Sequence, residues 1–289
     1  MTQCYILNCE GFQMDYVSLN PKKRTQLRIF IGKNYYTFRR YFYWLFGAVK
    51  FAVTKDQKAY SFAYIHHSTP LIRQLKDTDM YLQYNKITNL KIAIKKVNDI
   101  IIKPGETFSY WKLIGKPTKR KGYQDGIILF QGTVKAGTGG GLCQLSNLIY
   151  WMTIHTPLTI VERYRHSFDV FPDSNRVLPF GSGATCVYNY RDLMIRNDTA
   201  SPVQLKVWLT DSMLCGCWRT NVEPLETYQV YEKEHYMKKE LFGYYSRHNL
   251  IYRKIIDMNG TEISDEYVTQ NHALMMYEPF LEDKQSCSF

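Results

Sequence analysis

Gly137-Thr138-Gly139-Gly140-Gly141-Leu142-Cys143-Gln144-Leu145-Ser146 sets one cysteine where a glycine-rich loop turns into a helix. Glycines let backbone N–H groups converge without Cβ clashes, and a helix N-terminus adds partial positive charge. Both features lower a thiol's pKa and supply donors to an oxyanion, so the stretch reads as a nucleophile site. The run that follows, to Ile154, is apolar apart from Gln144, Ser146, Asn147 and Thr153. At helical spacing Cys143, Asn147, Tyr150 and Ile154 share one face, and Pro157 closes the helix. A helix apolar on most sides belongs inside a core. The expected fold class is therefore α+β: a buried central helix starting at the glycine-rich loop and Cys143, packed on an antiparallel sheet or partial barrel.

Upstream, Leu90, Ile94, Val97 and Ile101 recur at helical spacing and predict an amphipathic helix over 88–102, capped at Thr88 or Asn89. Pro104-Gly105 ends it, Glu106 to Trp111 reads as extended, and Ile127 to Phe130 as a strand. Downstream, Leu158 to Arg163 reads as a strand. Cys186 to Tyr190, Leu193 to Ile195 and Val203 to Leu209 alternate like an antiparallel meander, and Met258-Asn259-Gly260-Thr261 like a hairpin turn. Composition and motifs divide the chain into an aromatic and basic region (1–85), a core (86–210) and a β-rich extension (211–289).

The 289 residues carry a net charge of +11, with 24 tyrosines and 15 phenylalanines, which points to an anionic partner or surface. Zinc-finger spacing, an RNA-recognition signature and a continuous basic helix are all missing, so nucleic acid is not favoured. An anionic membrane surface or cell-wall polymer remains. The densest basic run, Lys116 to Lys121, reads as a solvated loop. Tyr41 to Val53, with Arg39-Arg40 before it and Lys50 inside it, is too short to span a bilayer and reads as a buried or membrane-surface helix. Met1 to Phe12 lacks a secretory pattern, and the seven cysteines lack framework spacing and read as mostly reduced. The expected location is cytoplasmic, with association at a membrane surface as an option. Cys215-Gly216-Cys217 offers two thiols without a second pair, so strand packing is favoured over a metal site. No metal or cofactor is expected.

Four stretches carry a resemblance to a known family: Asn98 to Ser109, Gly139 to Asn147, His155 to Ile160, and Arg196 to Thr199. Over roughly 85–210 the chain resembles the VanW family. The resemblance implies a link to peptidoglycan metabolism and glycopeptide (vancomycin) resistance. Some members are described as L,D-transpeptidases acting on stem peptides, with the motif cysteine as nucleophile. It makes Cys143 the nucleophile and His166, which follows Val161-Glu162-Arg163, the base. Many members have an acidic residue before the Ala-Thr pair, and here Gly183 precedes Ala184-Thr185.

An acyl-transfer site also needs an orienting group and oxyanion donors. Asp169 and Asp173 are the candidates to orient His166. Gly139, Gly140, Gly141 and Gln144 are the candidates to support the oxyanion, the glycines alternatively serving close packing. His155 lies about 18 Å along the helix from Cys143 and reads as structural. Cys186, after the Ala-Thr pair, is a candidate disulfide partner that would quench Cys143. Two functions follow. One is a cysteine acyltransferase or hydrolase on peptidoglycan stem peptides. The other is a non-catalytic accessory module that recognises a cell-wall precursor or an anionic membrane or polymer surface.

Overall fold

A computed structural model describes residues 24–72, 79–130, 133–170, 178–188, 190–240 and 243–278. The elements in order are α1 (Gln26–Phe46), β1 (Phe62–Pro70), α2 (Met80–Val97), β2 (Ile101–Ile102), β3 (Thr107–Ser109), α3 (Tyr110–Ile114), β4 (Asp125–Phe130), β5 (Thr133–Thr138) and α4 (Cys143–Thr153). They continue with β6 (Thr159–Glu162), β7 (Phe168–Asp169), β8 (Met194–Arg196), β9 (Val203–Leu209), β10 (Met213–Thr220), β11 (Glu226–Lys239), β12 (Tyr245–Asp257) and β13 (Glu262–Met275). Among the described residues these strands form four sheets, in the orders β1-β10-β9-β2, β11-β12-β13-β7, β3-β8-β6 and β4-β5. The architecture is α+β with antiparallel sheets, β7 being the exception as a parallel partner of β13.

The apolar run after the glycine loop forms α4, whose Leu145, Leu148, Ile149, Tyr150, Trp151 and Met152 are all buried. It rests on β10 at Gly216. A Cβ there would stand 2.8 Å from Met152 Cε and 3.1 Å from Leu148 Cδ2. The glycine of Cys215-Gly216-Cys217 thus marks a close approach of helix and sheet, and both flanking cysteines are free thiols. Trp218, fully buried one strand position further on, donates from Nε1 to Thr153 Oγ1 at 3.1 Å and ties the end of α4 to the sheet.

The helix before the core begins at Met80, not at the expected Thr88. Asn89 lies inside it and caps something else. Its Nδ2 donates to the carbonyls of Gln124 (3.0 Å) and Gly140 (2.9 Å), while its Oδ1 accepts from Gln124 N (2.8 Å). One turn earlier, Asn85 Nδ2 donates to the Asp125 carbonyl at 2.9 Å. Polar residues sit on the packed side of this helix because they serve loop carbonyls, and that hides the true start from an apolar-period reading.

Other boundaries also moved. The extended segment from Glu106 stops at Ser109, whose side chain accepts from Lys112 N and caps α3. Among the described residues from Cys186 to Tyr190 no strand forms; Val187 bridges Arg191 in a turn. The expected meander splits, because β8 pairs with β3 and β6 while β9 pairs with β10 and β2. The turn at Met258 to Thr261 joins β12 to β13, with Gly260 at φ 82°. The helix expected from Tyr41 instead spans Gln26–Phe46 and stops before Lys50. One sheet draws β1 from the first sequence region, β2 and β9 from the second and β10 from the third.

Two glycine substitutions separate packing from backbone strain. A Cβ on Gly140 would stand 2.1 Å from the Gly126 carbonyl carbon. Gly105, at φ 77°, has nothing within 4 Å of its would-be Cβ. Chemical denaturation should show Gly140→Ala losing about 3 kcal/mol or more. Gly105→Ala should lose only the left-handed strain of about 1–2 kcal/mol.

Candidate functional site

Three glycines carry the chain from β5 into α4, and each is held by a neighbour. Gly139 and Gly141 adopt φ values of 79° and 88°, which glycine takes without penalty. A Cβ on Gly139 would meet Pro117 Cβ at 2.6 Å, and one on Gly141 would meet Lys86 Cγ at 2.1 Å. Their N–H groups are engaged within the fold. Gly139 donates to Gln124 O (2.9 Å), Gly140 to Gly137 O (2.9 Å) and Gly141 to Ile127 O (2.8 Å). Close packing is thus the role the geometry gives the glycines. Gln144 is engaged as well: its N–H donates to Gly141 O at 3.1 Å, and its Nε2 donates to Thr69 Oγ1 (2.9 Å) and Pro70 O (2.8 Å). In this state neither the glycine N–H groups nor Gln144 is left pointing at an oxyanion.

Cys143 opens α4, and Tyr110 OH fixes the entry by donating to the Leu142 carbonyl at 2.8 Å. Burial pushes the Cys143 thiol above its ordinary pKa; hydrogen bonds from the backbone of Cys186 and of Cys143 itself work against this without overcoming it. The lowered thiol expected from a helix N-terminus is therefore corrected, because desolvation outweighs the dipole and its donors. Cys186 is a buried free thiol, so no disulfide joins the two.

The first turn of α4 grips the segment 183–186. Ser146 Oγ lies 2.8 Å from the Ala184 carbonyl, and Asn147 Oδ1 accepts from Ala184 N at 2.9 Å. Asn147, four residues after Cys143 on the same face, also occupies the ground beside Gly183, where a Cβ would stand 2.6 Å from its Oδ1. Arg163 Nε and Nη2 donate to the Gly183 carbonyl at 3.0 and 2.8 Å. Nη2 also donates to Gly181 O (2.6 Å) and Asn271 Oδ1 (2.9 Å), and Nη1 to Thr269 Oγ1 (3.1 Å). These acceptors are all neutral. At Gly183 the carbonyl is thus held by Arg163, while Asn147 fills the space a side chain would take and accepts from the next N–H, that of Ala184.

His166 joins this segment through Thr185, whose Oγ1 shares a hydrogen bond of 2.9 Å with His166 Nδ1. Thr185 N in turn donates to Tyr164 O at 2.8 Å. Cys143 and His166 therefore hold adjacent residues, Cys186 and Thr185. Among the described residues no hydrogen bond joins thiol to imidazole directly. Burial, then the charge of Arg163, lowers the His166 pKa to about 4, with Asp169 pulling weakly the other way. Asp169 is not bonded to His166; its Oδ2 accepts from Tyr277 OH (2.9 Å) and Arg247 Nη1 (3.4 Å). Asp173 lies outside the described residues. His155 Nδ1 donates to the Trp151 carbonyl at 2.8 Å, at the far end of α4.

Sequence reasoning passed over Tyr110, Asn147 and Asp192. Asp192 accepts from Ser109 Oγ (2.5 Å), Trp111 N (2.9 Å) and Leu193 N (2.9 Å), and so holds the helix that presents Tyr110. Burial pushes its carboxyl up to about 6. Only Asn147 had a visible signal, its helical spacing from Cys143.

Residues 85–219, which contain Cys143, Arg163, His166 and the 183–186 segment, match the family described as VanW like protein. The chain is 36% identical over 185 residues to the vancomycin B-type resistance protein VanW of Enterococcus faecalis, a match covering 64% of this chain and 67% of that relative. The chain belongs to the VanW-like family. A second relative, the uncharacterized protein YoaR of Bacillus subtilis, is 30% identical over 118 residues, 41% of this chain and 37% of that protein. No solved structure matches. In this VanW-like chain the glycine–cysteine motif, the Arg163–His166 segment and the Ala184-Thr185 pair converge on one strap beside α4.

The folded-state pKa of His166, about 4, lies below its ordinary 6.5. Its contribution to stability is therefore complete above pH 6.5 and drains as pH falls toward 4, at up to about 1.4 kcal/mol per pH unit. Denaturation between pH 7 and 4 should show a shallower acid loss in His166→Gln than in the parent; equal slopes would remove His166 from that account.

Proposed function

We propose that the chain acts in peptidoglycan metabolism linked to vancomycin resistance, as a cysteine-dependent acyltransferase on stem peptides with Cys143 as nucleophile and His166 as base. The observation that supports this most is the shared strap: the Cys143 thiol faces the backbone of Cys186, and the preceding Thr185 holds the His166 ring. The name of the Enterococcus relative supports the link to vancomycin resistance.

The electrostatics define how such a site works. With a pKa near 4, His166 is neutral at pH 7 and free to accept a proton. The half-buried thiol, its pKa raised by desolvation, rests protonated, so proton loss accompanies attack instead of preceding it. Cys143 Sγ bonds to the stem-peptide carbonyl carbon while its proton passes to His166. The tetrahedral oxyanion then collapses, the C–N bond breaks, and His166 returns the proton to the leaving amine. The resulting thioester goes to an amine in transpeptidation or to water in hydrolysis.

Pure protein incubated with tetrapeptide muropeptides should yield a thioester at Cys143 by mass spectrometry. Cys143→Ser should give none, and His166→Gln should form it about 10²–10⁴-fold more slowly. A folded parent that yields neither adduct nor product would sink the catalytic reading.

The burial that raises the thiol, together with the engaged loop donors, favours a second reading. In it the protein is a non-catalytic accessory module that recognises a cell-wall precursor or an anionic polymer through its basic, aromatic surface. Here Cys143→Ser folds normally and retains the resistance phenotype in full; under the first reading the phenotype is lost.

A further inference from the structure

The helix α1 faces the wrong way for one that packs on its own protein. At 100° per residue, Leu27, Phe30, Ile31, Phe38, Phe42 and Leu45 fall in one stripe. That stripe is turned outward: Leu27 is 68% exposed, Phe30 66%, Phe38 72%, Phe42 56% and Leu45 70%. The opposite side fastens the helix to the body. Arg40 donates to both Glu162 carboxylate oxygens (2.7 and 2.6 Å) and to Tyr190 O (2.9 Å). The Tyr36 ring packs tilted against that of Tyr190, with centroids 5.7 Å apart, and Trp44 is buried with its carbonyl accepting from Lys112 Nζ at 3.1 Å. Single exposed apolar residues are ordinary on a protein surface; a stripe of six large ones, with Asn34 as its polar interruption, marks a contact.

Charge identifies the contact. Arg28, Lys33 and Arg39 are exposed along the flanks of the stripe, and α1 contains no Asp or Glu. Two copies of this helix laid face to face would bring cationic flanks together without a compensating acid. An anionic bilayer supplies both an apolar phase for the stripe and negative headgroups for the flanks. Tyrosine, tryptophan and phenylalanine are side chains favoured at that boundary. Among the described residues no helix is long and apolar enough to cross a membrane, so α1 would lie along the surface.

We propose that α1 is an interfacial helix that binds the protein to an anionic lipid surface, its Leu27–Leu45 stripe at the acyl boundary and Arg28, Lys33 and Arg39 among the headgroups. The proposal goes beyond the chemistry at Cys143 and does not depend on it.

The full chain should co-sediment with phosphatidylcholine vesicles containing phosphatidylglycerol, and about tenfold or more weakly with phosphatidylcholine alone or in high salt. Phe30→Ser/Phe38→Ser/Phe42→Ser changes exposed positions only and should reduce vesicle binding by about tenfold or more, with the fold checked by denaturation. Arg28→Gln/Lys33→Gln/Arg39→Gln should lose the preference for anionic vesicles while keeping residual binding. Cys143→Ser should bind vesicles like the parent, which separates this test from that of the catalytic reading. The proposal is overturned by a folded parent that ignores anionic vesicles or by a triple-serine variant that binds unchanged. A concentration-dependent dimer abolished by the same serines, with no vesicle binding, would assign the stripe to a second copy instead.

Discussion

The backbones of Gly126 and Gly140 touch, and the candidate site depends on that contact. A Cβ on either residue would enter the other's main chain, at 2.6 Å from Gly140 O in one direction and 2.1 Å from Gly126 C in the other. Asn89 closes the contact from a third element by holding the Gln124 and Gly140 carbonyls together. The β4–β5 hairpin, the glycine loop and α2 therefore form one unit, and α4 leaves it in a fixed direction. That direction brings Met152 and Leu148 over Gly216 and the first helical turn against 183–186. Side chains are excluded at two points so that the backbone can be placed accurately between them.

The same tight packing decides the electrostatics of Cys143. A helix N-terminus and two backbone donors favour thiolate, but each works at the scale of a surface or partly buried dipole. Removal from water acts on the charged form alone and grows with enclosure. Here enclosure wins, and the sulfur rests as a thiol. His166 is driven the same way, toward its neutral form, by burial and by Arg163. A neutral thiol and a neutral imidazole on one strap are the self-consistent outcome, since neither carries a charge that would stabilise one on the other. Glycine at 183 fits this: its carbonyl serves the Arg163 guanidinium as a dipole where an acid would have brought a full charge.

Much of this was legible before the structure. The buried helix beginning at Cys143, the α+β class, the strand over Val203–Leu209 and the Gly260 turn follow from apolar period and turn chemistry, which are local signals. The errors lie where a residue's partner is remote in sequence. Asn89 looked like a cap for its own helix because capping is local, yet its acceptors are on loops 35 and 51 positions away. Cys186 to Tyr190 alternates like a strand, but its pattern reflects Cys186 facing α4 and Tyr188 facing Trp111 at 5.6 Å across a turn. At the site, Cys143 and His166 could be named from residue types and resemblance. The link between them through Thr185 and Cys186, and the balance between burial and dipole, are properties of packing that spacing does not encode.

The first helix follows a different logic from the rest. A core helix hides its apolar stripe and is stabilised mainly by that burial. In α1 the stripe is exposed, and the helix is held by its opposite side, through buried Trp44 and polar ties at its two ends. Thr25 Oγ1 caps the first turn by accepting from Arg28 N at 3.3 Å, and near the other end Arg40 closes a two-point bridge to Glu162. Glu162 Oε1 also accepts from Asp192 N at 3.0 Å, so α1 is fastened to the residues that hold α3 and, through Tyr110, the entry to α4. Each large apolar side chain moved from water to an apolar phase contributes about 1.5–3 kcal/mol. A helix that forgoes this within its own fold, while keeping a rigid tie to the framework of the candidate site, is arranged to gain it from outside. An external surface met by α1 would then set the orientation of the whole core, not of a loose appendage.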